Sequence, residues 1–190
     1  MNVYDAIMQR RTIRKFTQEK IGKDNLIKLV DCARMAAYGA NLQPLKFAVV
    51  DDEKDLNEIF PFIKWAGYLQ DGAPKENERP TAYIAVLGDK SLKAADTYEV
   101  EAGAAVTTIM LAAEEMGLAS CWLGAIKRDE IKSALNLADN LRVVYLLALG
   151  YPAQKSESVE MKDGNIKYYL DGDKLKVPKR ALDEVLVKIK

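Results

Sequence analysis

Thr81-Ala82-Tyr83-Ile84-Ala85-Val86-Leu87, ended by Gly88-Asp89, is the stretch on which the fold turns. Its apolar, aromatic and β-branched run, bounded by Pro80 and by Gly88, reads as a strand. A helix follows from about Asp96 to Met116, with Ala, Val, Thr, Ile and Leu on nearly every side, and such a helix belongs in the middle of a fold. Working outward, Phe47-Ala48-Val49-Val50, Ser120-Cys121-Trp122-Leu123 and the continuous apolar run Val143 to Leu149 read as further strands. Helices are predicted over 2–10, over 23–38 with a stop at Gly39, around Glu53 to Phe60, and over 128–136. This order predicts an α+β fold, a central mixed sheet flanked by helices, in a single domain over 1–190.

The segment from Ala153 to Lys190 is different in character. It is polar and turn-rich through Lys162-Asp163-Gly164-Asn165 and Asp171-Gly172-Asp173, then ends in the apolar stripe Leu182, Val185, Leu186, Ile189. Such a stripe needs something to pack against, its own core or a partner subunit.

Composition removes several function classes. Lys plus Arg equals Asp plus Glu at 28 each, so no global field draws the chain to nucleic acid or to an anionic membrane. Histidine is absent, which excludes Ser-His-Asp and Cys-His catalysis and His-ligated metals. Cys32 and Cys121 stand in apolar segments without a metal or disulfide spacing, and no metal is expected. The opening Met1-Asn2-Val3-Tyr4-Asp5 lacks the marks of a signal peptide, and no apolar run has bilayer length, so a soluble, cytoplasmic protein is expected. With imidazole chemistry excluded, an enzyme of this composition needs a bound organic cofactor for the hard step.

One cluster points to that cofactor. Arg10-Arg11-Thr12-Ile13-Arg14 sets three guanidinium forks and a hydroxyl directly after the first helix. Planar, permanently charged forks match phosphate oxygens bidentately. On its own the segment reads first as a solvated surface. Lys179-Arg180 provides a second small basic site far along the chain.

Five blocks together carry a family resemblance: Arg10 to Phe16, Ala36 to Phe47, Gly117 to Gly124, Leu149-Gly150-Tyr151-Pro152, and Pro178-Lys179-Arg180. Their order and spacing resemble the signature series of the nitroreductase family of FMN-dependent oxidoreductases. The resemblance implies a homodimer with two FMN sites at the subunit interface, each built from both chains, and a C-terminal extension packing on the partner. It implies that Arg10, Arg11, Thr12, Lys179 and Arg180 hold the FMN phosphate and that Arg14 reaches the flavin N1 and O2 edge. A fixed cation at that edge favours the reduced ring. Asn41 and Gln43, with the backbone of Tyr38 and Gly39, are implied to contact flavin from the neighbouring subunit; Asn41 reads alternatively as a helix C-cap. Leu123, Gly124 and Ala125 are implied to bring a backbone N–H to flavin N5 or O4, with Gly124 permitting close approach.

The resemblance has departures. Thr12 keeps the hydroxyl of the more usual serine, Leu45 stands where tryptophan is frequent, and Tyr38 stands where a small residue is common. Trp122 is expected in the core, the alternative being a wall beside the flavin. The Gly72 to Pro80 loop, with Trp65 and Tyr68 just before it, is a candidate lid. The implied reaction is ping-pong hydride transfer from NADH or NADPH through flavin N5 to a nitroaromatic, quinone or similar acceptor, with Arg14 tuning the ring and no side-chain nucleophile. Reductive dehalogenation, flavin fragmentation and flavin binding without turnover are the alternatives.

Overall fold

The computed structural model describes residues 1–93 and 97–189. Four strands form the central sheet: β1 (Leu45–Val50), β2 (Ala82–Asp89), β3 (Ala119–Leu123) and β4 (Leu141–Gly150), in the order β1-β2-β4-β3. All three strand pairings are antiparallel, and the sheet becomes mixed only at its β3 edge, where Thr12 makes a parallel bridge to Ser120. The deciding stretch occupies β2, next to β4, and every residue of β2 is buried.

Burial on both faces follows from two cores. Ala82, Ile84 and Val86 point into one, with Leu26, Leu29, Ala33 and the inner face of α4 (Glu99–Glu115); α2 (Lys23–Arg34) supplies the first three of these helix residues. Tyr83, Ala85 and Leu87 point into the other, with Ile59 of α3 (Glu53–Ile59), Ile131 of α5 (Arg128–Ala134), Phe16 and Trp65. The alternation is that of a strand sandwiched between helical layers. The remaining short helices are α1 (Val3–Gln9), capped by the Asn2 side chain on the Asp5 N–H, and α6 (Leu182–Val185).

Three sequence expectations change. The second helix stops at Arg34 and not at 38, because the chain bends so that the Tyr38 hydroxyl donates to the Ala33 carbonyl at 3.1 Å. The C-cap is therefore Met35, and Asn41 is not the helix cap. Trp122 is 38 % exposed and not core: β3 is an edge strand, and the indole stands edge-on to Tyr145 at 5.1 Å. The long helix is fully buried on one face only; its other face is half-covered in the single chain, with Val100 at its start 84 % exposed. Its expected start at Asp96 lies outside the described residues.

The polar tail holds a small sheet that alternation too weak to read had hidden. β5 (Lys155–Glu160) pairs parallel with β7 (Lys174–Lys179), and β6 (Tyr169–Asp171) pairs antiparallel with β7 through the Asp171-Gly172-Asp173 turn. Leu175 anchors it, fully buried. This part of the extension rests on its own chain, whereas Leu182, Val185, Leu186, Val187 and Ile189 at its end are exposed.

Candidate functional site

The Arg10 to Arg14 segment is pinned from both ends. Arg10 caps α1, its N–H donating to Ala6, and Thr12 and Ile13 dock on the β3 edge, where the Ile13 N–H donates to the Ser120 carbonyl at 3.1 Å. Phe16, fully buried, bridges to Pro152, and its N–H donates to the Glu78 carbonyl at 2.9 Å. A Cβ on Gly150 would come within 2.8 Å of the Phe16 ring, so glycine is what lets this anchor seat.

The electrostatics of Arg10 and Arg11 call for an anion. Arg10 Nη1 and Arg11 Nε are buried and have no hydrogen-bond partner. Burial pulls the Arg10 guanidinium pKa down, Arg11 beside it does the same, and Glu114 on α4 opposes them. Arg11 is held in place by its donations to the Arg10 carbonyl, to Met8 O at 2.7 Å and to Ser158 Oγ at 2.6 Å. One buried, unpartnered nitrogen on each of two neighbouring guanidiniums, with Glu114 as the nearby carboxylate, leaves donors for an anion to meet. Glu114 itself is pushed up by burial and drawn back down by Arg10 and Arg11, so it belongs to the same cluster.

The tail brings the second basic pair to this edge. Ser158, which Arg11 contacts, stands opposite Val177, and Glu160 opposite Lys179. The Lys179 position is thus two residues, about 7 Å, along the strand from the Arg11 contact. Lys179 makes no ion pair among the described residues, while Arg180 pairs with Glu184 at 3.0 Å and is half-exposed.

Arg14 lies one turn of chain further on. Its guanidinium carbon is 4.7 Å from the centre of the Tyr168 ring, and its backbone N–H donates to Gln154 Oε1 at 3.4 Å. Its charge reaches Cys121, whose thiol is pushed up to about 11 by burial with Arg14 opposing. At the end of the same strand, the Gly124 carbonyl accepts from Arg128 Nη2 at 3.2 Å and the Ala125 carbonyl accepts from Lys64 N at 2.9 Å. The N–H groups of Gly124 and Ala125 make no such bond among the described residues, and Leu123 beside them is buried.

Tyr38, Gly39, Asn41 and Gln43 are elsewhere. Their loop holds Ala40, Asn41 and Gln43 at positive φ, with the Gln43 side chain folded back on the Asn41 carbonyl at 3.3 Å. It packs against the start of α4, where a Cβ on Gly39 would stand 3.7 Å from Glu101 Oε1, and burial with the Glu101 charge raises the Tyr38 phenol pKa. Glu101 is paired with Lys93 at 2.9 Å. Arg10 and Arg11 feel Glu114, thirteen residues along the same helix. At 1.5 Å per residue the two groups are about 20 Å apart within one chain. The structure therefore brings Arg10, Arg11, Thr12, Arg14 and the Leu123 to Ala125 turn to one edge, with Lys179 and Arg180 beside it, and leaves the Tyr38 to Gln43 loop at the far end of α4.

Sequence reasoning missed Glu114, Ser158 and Tyr168. Glu114 is one of two acids ending an apolar helix, and nothing in a polar tail singles out Ser158 or Tyr168. The candidate lid is partly a fixed element: Trp65 is buried and stacked on Phe60 at 5.7 Å, and only Tyr68 reaches out, to Tyr168 at 5.0 Å between ring centres. A cavity of about 300 Å³ lined by Gln18, Phe60, Arg79, Thr81 and Tyr83 includes the end of the candidate lid loop and none of the arginines at 10, 11 and 14.

The model of the Nitroreductase family matches residues 7–151, and the chain belongs to that family. It is similar to a "Putative NADH dehydrogenase/NAD(P)H nitroreductase" of Archaeoglobus fulgidus, 30% identical over 166 residues that cover 83% of this chain and 89% of that one. It is also similar to an iodotyrosine deiodinase of Thermotoga neapolitana, at 25% identity over 87% of this chain and 97% of the other. Among solved structures, a nitroreductase family protein of Clostridium novyi NT superposes with a TM-score of 0.69 at 32% identity, over 80% of this chain and 87% of that one. No helix among the described residues is long and apolar enough to cross a membrane.

Proposed function

We propose that the chain is an FMN-dependent reductase, working in the cytoplasm as a homodimer, that takes a hydride from NADH or NADPH and passes it to a nitroaromatic, quinone or similar acceptor. The observation that carries this reading is the pair of buried guanidinium nitrogens on Arg10 and Arg11 without a partner. A phosphate dianion supplies what they lack, and nucleotide-sized flavin ends in one. Arg10, Arg11 and Thr12, with Lys179 and Arg180, would hold that phosphate. Arg14 would present its N–H edge to the ring, and the Gly124 or Ala125 N–H would donate to it.

Bound FMN supplies hydride acceptance and delivery at N5. The residues of the chain then bind, orient and shield. Arg14 would set the positive field at the ring, and the buried Leu123 next to the Gly124 turn would help exclude water there. No side chain here needs to act as a nucleophile, in keeping with a chain that has no histidine.

The dimer rests on two observations. The half-covered apolar face of α4, with exposed Val100, and the exposed end of the tail favour a partner, and the Tyr38 to Gln43 loop is about 20 Å from the arginines in one chain. A second copy running the opposite way along α4 would bring one chain's loop to the other chain's arginines. The similarity to the Thermotoga neapolitana deiodinase along nearly its whole length supports reductive dehalogenation as the second reading, with the same flavin site. The absorption spectrum of the purified protein tests the central reading. A colourless preparation that takes up no added FMN overturns it, and an acceptor screen with NADH and NADPH separates the two activities.

A further inference from the structure

We infer that Tyr168 is a positioning residue for Arg14: its ring fixes the plane of the guanidinium and so sets how strongly that cation favours the reduced flavin. The inference rests on the proposed place of Arg14 at the ring edge, and it assigns a role to the tail that the five resemblance blocks do not contain.

The geometry is specific. A guanidinium carbon 4.7 Å from an aromatic centre is attracted to the face of the ring, a contact that takes up none of its hydrogen-bond donors. Arg14 makes no side-chain hydrogen bond or ion pair among the described residues, so Tyr168 is what orients it. Arginine carries roughly 2 kcal/mol of rotamer entropy, and a side chain without such a support samples many orientations. A field that acts on a bound ring is worth most when the charge is already in place. Tyr168 is itself supported: its hydroxyl accepts from the Tyr68 N–H at 3.5 Å, and the Tyr68 ring tilts against it at 5.0 Å. The Asp171-Gly172-Asp173 hairpin and buried Leu175 then tie this part of the tail down. The Tyr168 ring therefore holds Arg14 by a contact that uses no hydrogen bond, so its N–H donors stay available to a flavin C2 carbonyl or N1.

The test is the ratio of affinities of the holoprotein for reduced and oxidised FMN, obtained from the two-electron potential and from fluorescence titration of oxidised FMN. Tyr168→Leu is expected to lower that ratio about tenfold, a fall of about 30 mV for a two-electron couple, while the Kd for oxidised FMN changes less than threefold. Tyr168→Phe keeps the ring face and is expected to stay at the wild-type potential. Arg14→Ala is expected to lower the ratio at least as far, and Tyr168→Leu added to Arg14→Ala is expected to change nothing more. Should Tyr168→Leu yield too little folded protein, Tyr168→Met gives the same readout at similar bulk. A normal potential in Tyr168→Leu or Tyr168→Met, alongside a lowered one in Arg14→Ala, overturns the positioning role alone. A normal potential in Arg14→Ala overturns the reading of Arg14 as well.

Discussion

Arg10→Met is expected to act with opposite sign on the free and the FMN-loaded protein. Methionine keeps most of the aliphatic packing and removes a charge that burial and Arg11 both disfavour, while Arg11 still faces Glu114. The free protein should therefore be unchanged or slightly more stable. Binding is another matter, because a charge-assisted bond to phosphate contributes about 2 kcal/mol, and its loss raises the Kd for FMN roughly 30-fold. At a free FMN concentration of 100 times the wild-type Kd, ligand linkage stabilises the wild type by about 2.7 kcal/mol and the variant by about 0.9 kcal/mol. For 190 residues the unfolding entropy near Tm is about 0.4 kcal/mol/K, so FMN should raise Tm by about 7 °C in the wild type and about 2 °C in Arg10→Met. Thermal unfolding by near-UV circular dichroism, with and without FMN, reads both numbers. A variant that loses several degrees without FMN, and keeps the full FMN-induced rise, would show Arg10 to be a structural residue and refute the phosphate assignment.

Gly150→Ala should lower stability by about 1–3 kcal/mol, or roughly 3–8 °C, since the new methyl meets the Phe16 ring at 2.8 Å; unchanged denaturant midpoints would mean that the anchor is looser than described. Val100→Asp, on the half-covered face of α4, should give monomers by sedimentation velocity and lose FMN; a dimer that keeps its flavin would place the interface elsewhere. The Lys93 hydrogen bond holds the Glu101 carboxyl below the usual carboxylate range. A depressed folded pKa means that its contribution is complete above the unfolded value near 4.3 and is lost as pH falls through the folded one. Glu101→Gln should therefore cost about 1–2 kcal/mol at pH 7 and progressively less below about pH 4; a deficit that does not shrink with acid would assign the effect to packing.

How far the sequence could be read depends on where the deciding forces lie. β2 and β4 were legible because an apolar run between turn formers leaves a buried strand as the only economical solution, and both lie within the central sheet. The Arg10 to Arg14 cluster stands out in the sequence because five separated blocks agree, and the buried, unpartnered nitrogens of Arg10 and Arg11 are the physical support for the site proposed there. Trp122 was misread because its strand is short and apolar, and only the strand order reveals that it is an edge. The tail sheet was invisible for a different reason. Its strands are held by backbone pairing and by Lys176 with Glu157 and Asp171, so that only Leu175 contributes the buried hydrophobicity that patterning detects.

The long helix shows best what one chain leaves open. Its sequence is apolar on nearly every side, and the reading of a helix in the middle of the fold follows from that alone. Within one chain the face through Ala102, Val106, Ile109 and Ala113 is fully buried and the opposite face only half-covered, so the pattern and the burial disagree. They agree again if the middle of the fold belongs to two chains. The same step would bring the proposed site's two parts together, since Tyr38 to Gln43 and Arg10 to Arg14 mark opposite ends of that helix. A two-fold axis crossing α4 near its middle maps each end onto the other. Co-expression of an Arg10→Met chain with an Asn41→Ala chain checks this directly. Heterodimers should recover one intact FMN site of the two, so flavin content should exceed that of either variant alone; no recovery in verified heterodimers would refute a site built from both chains.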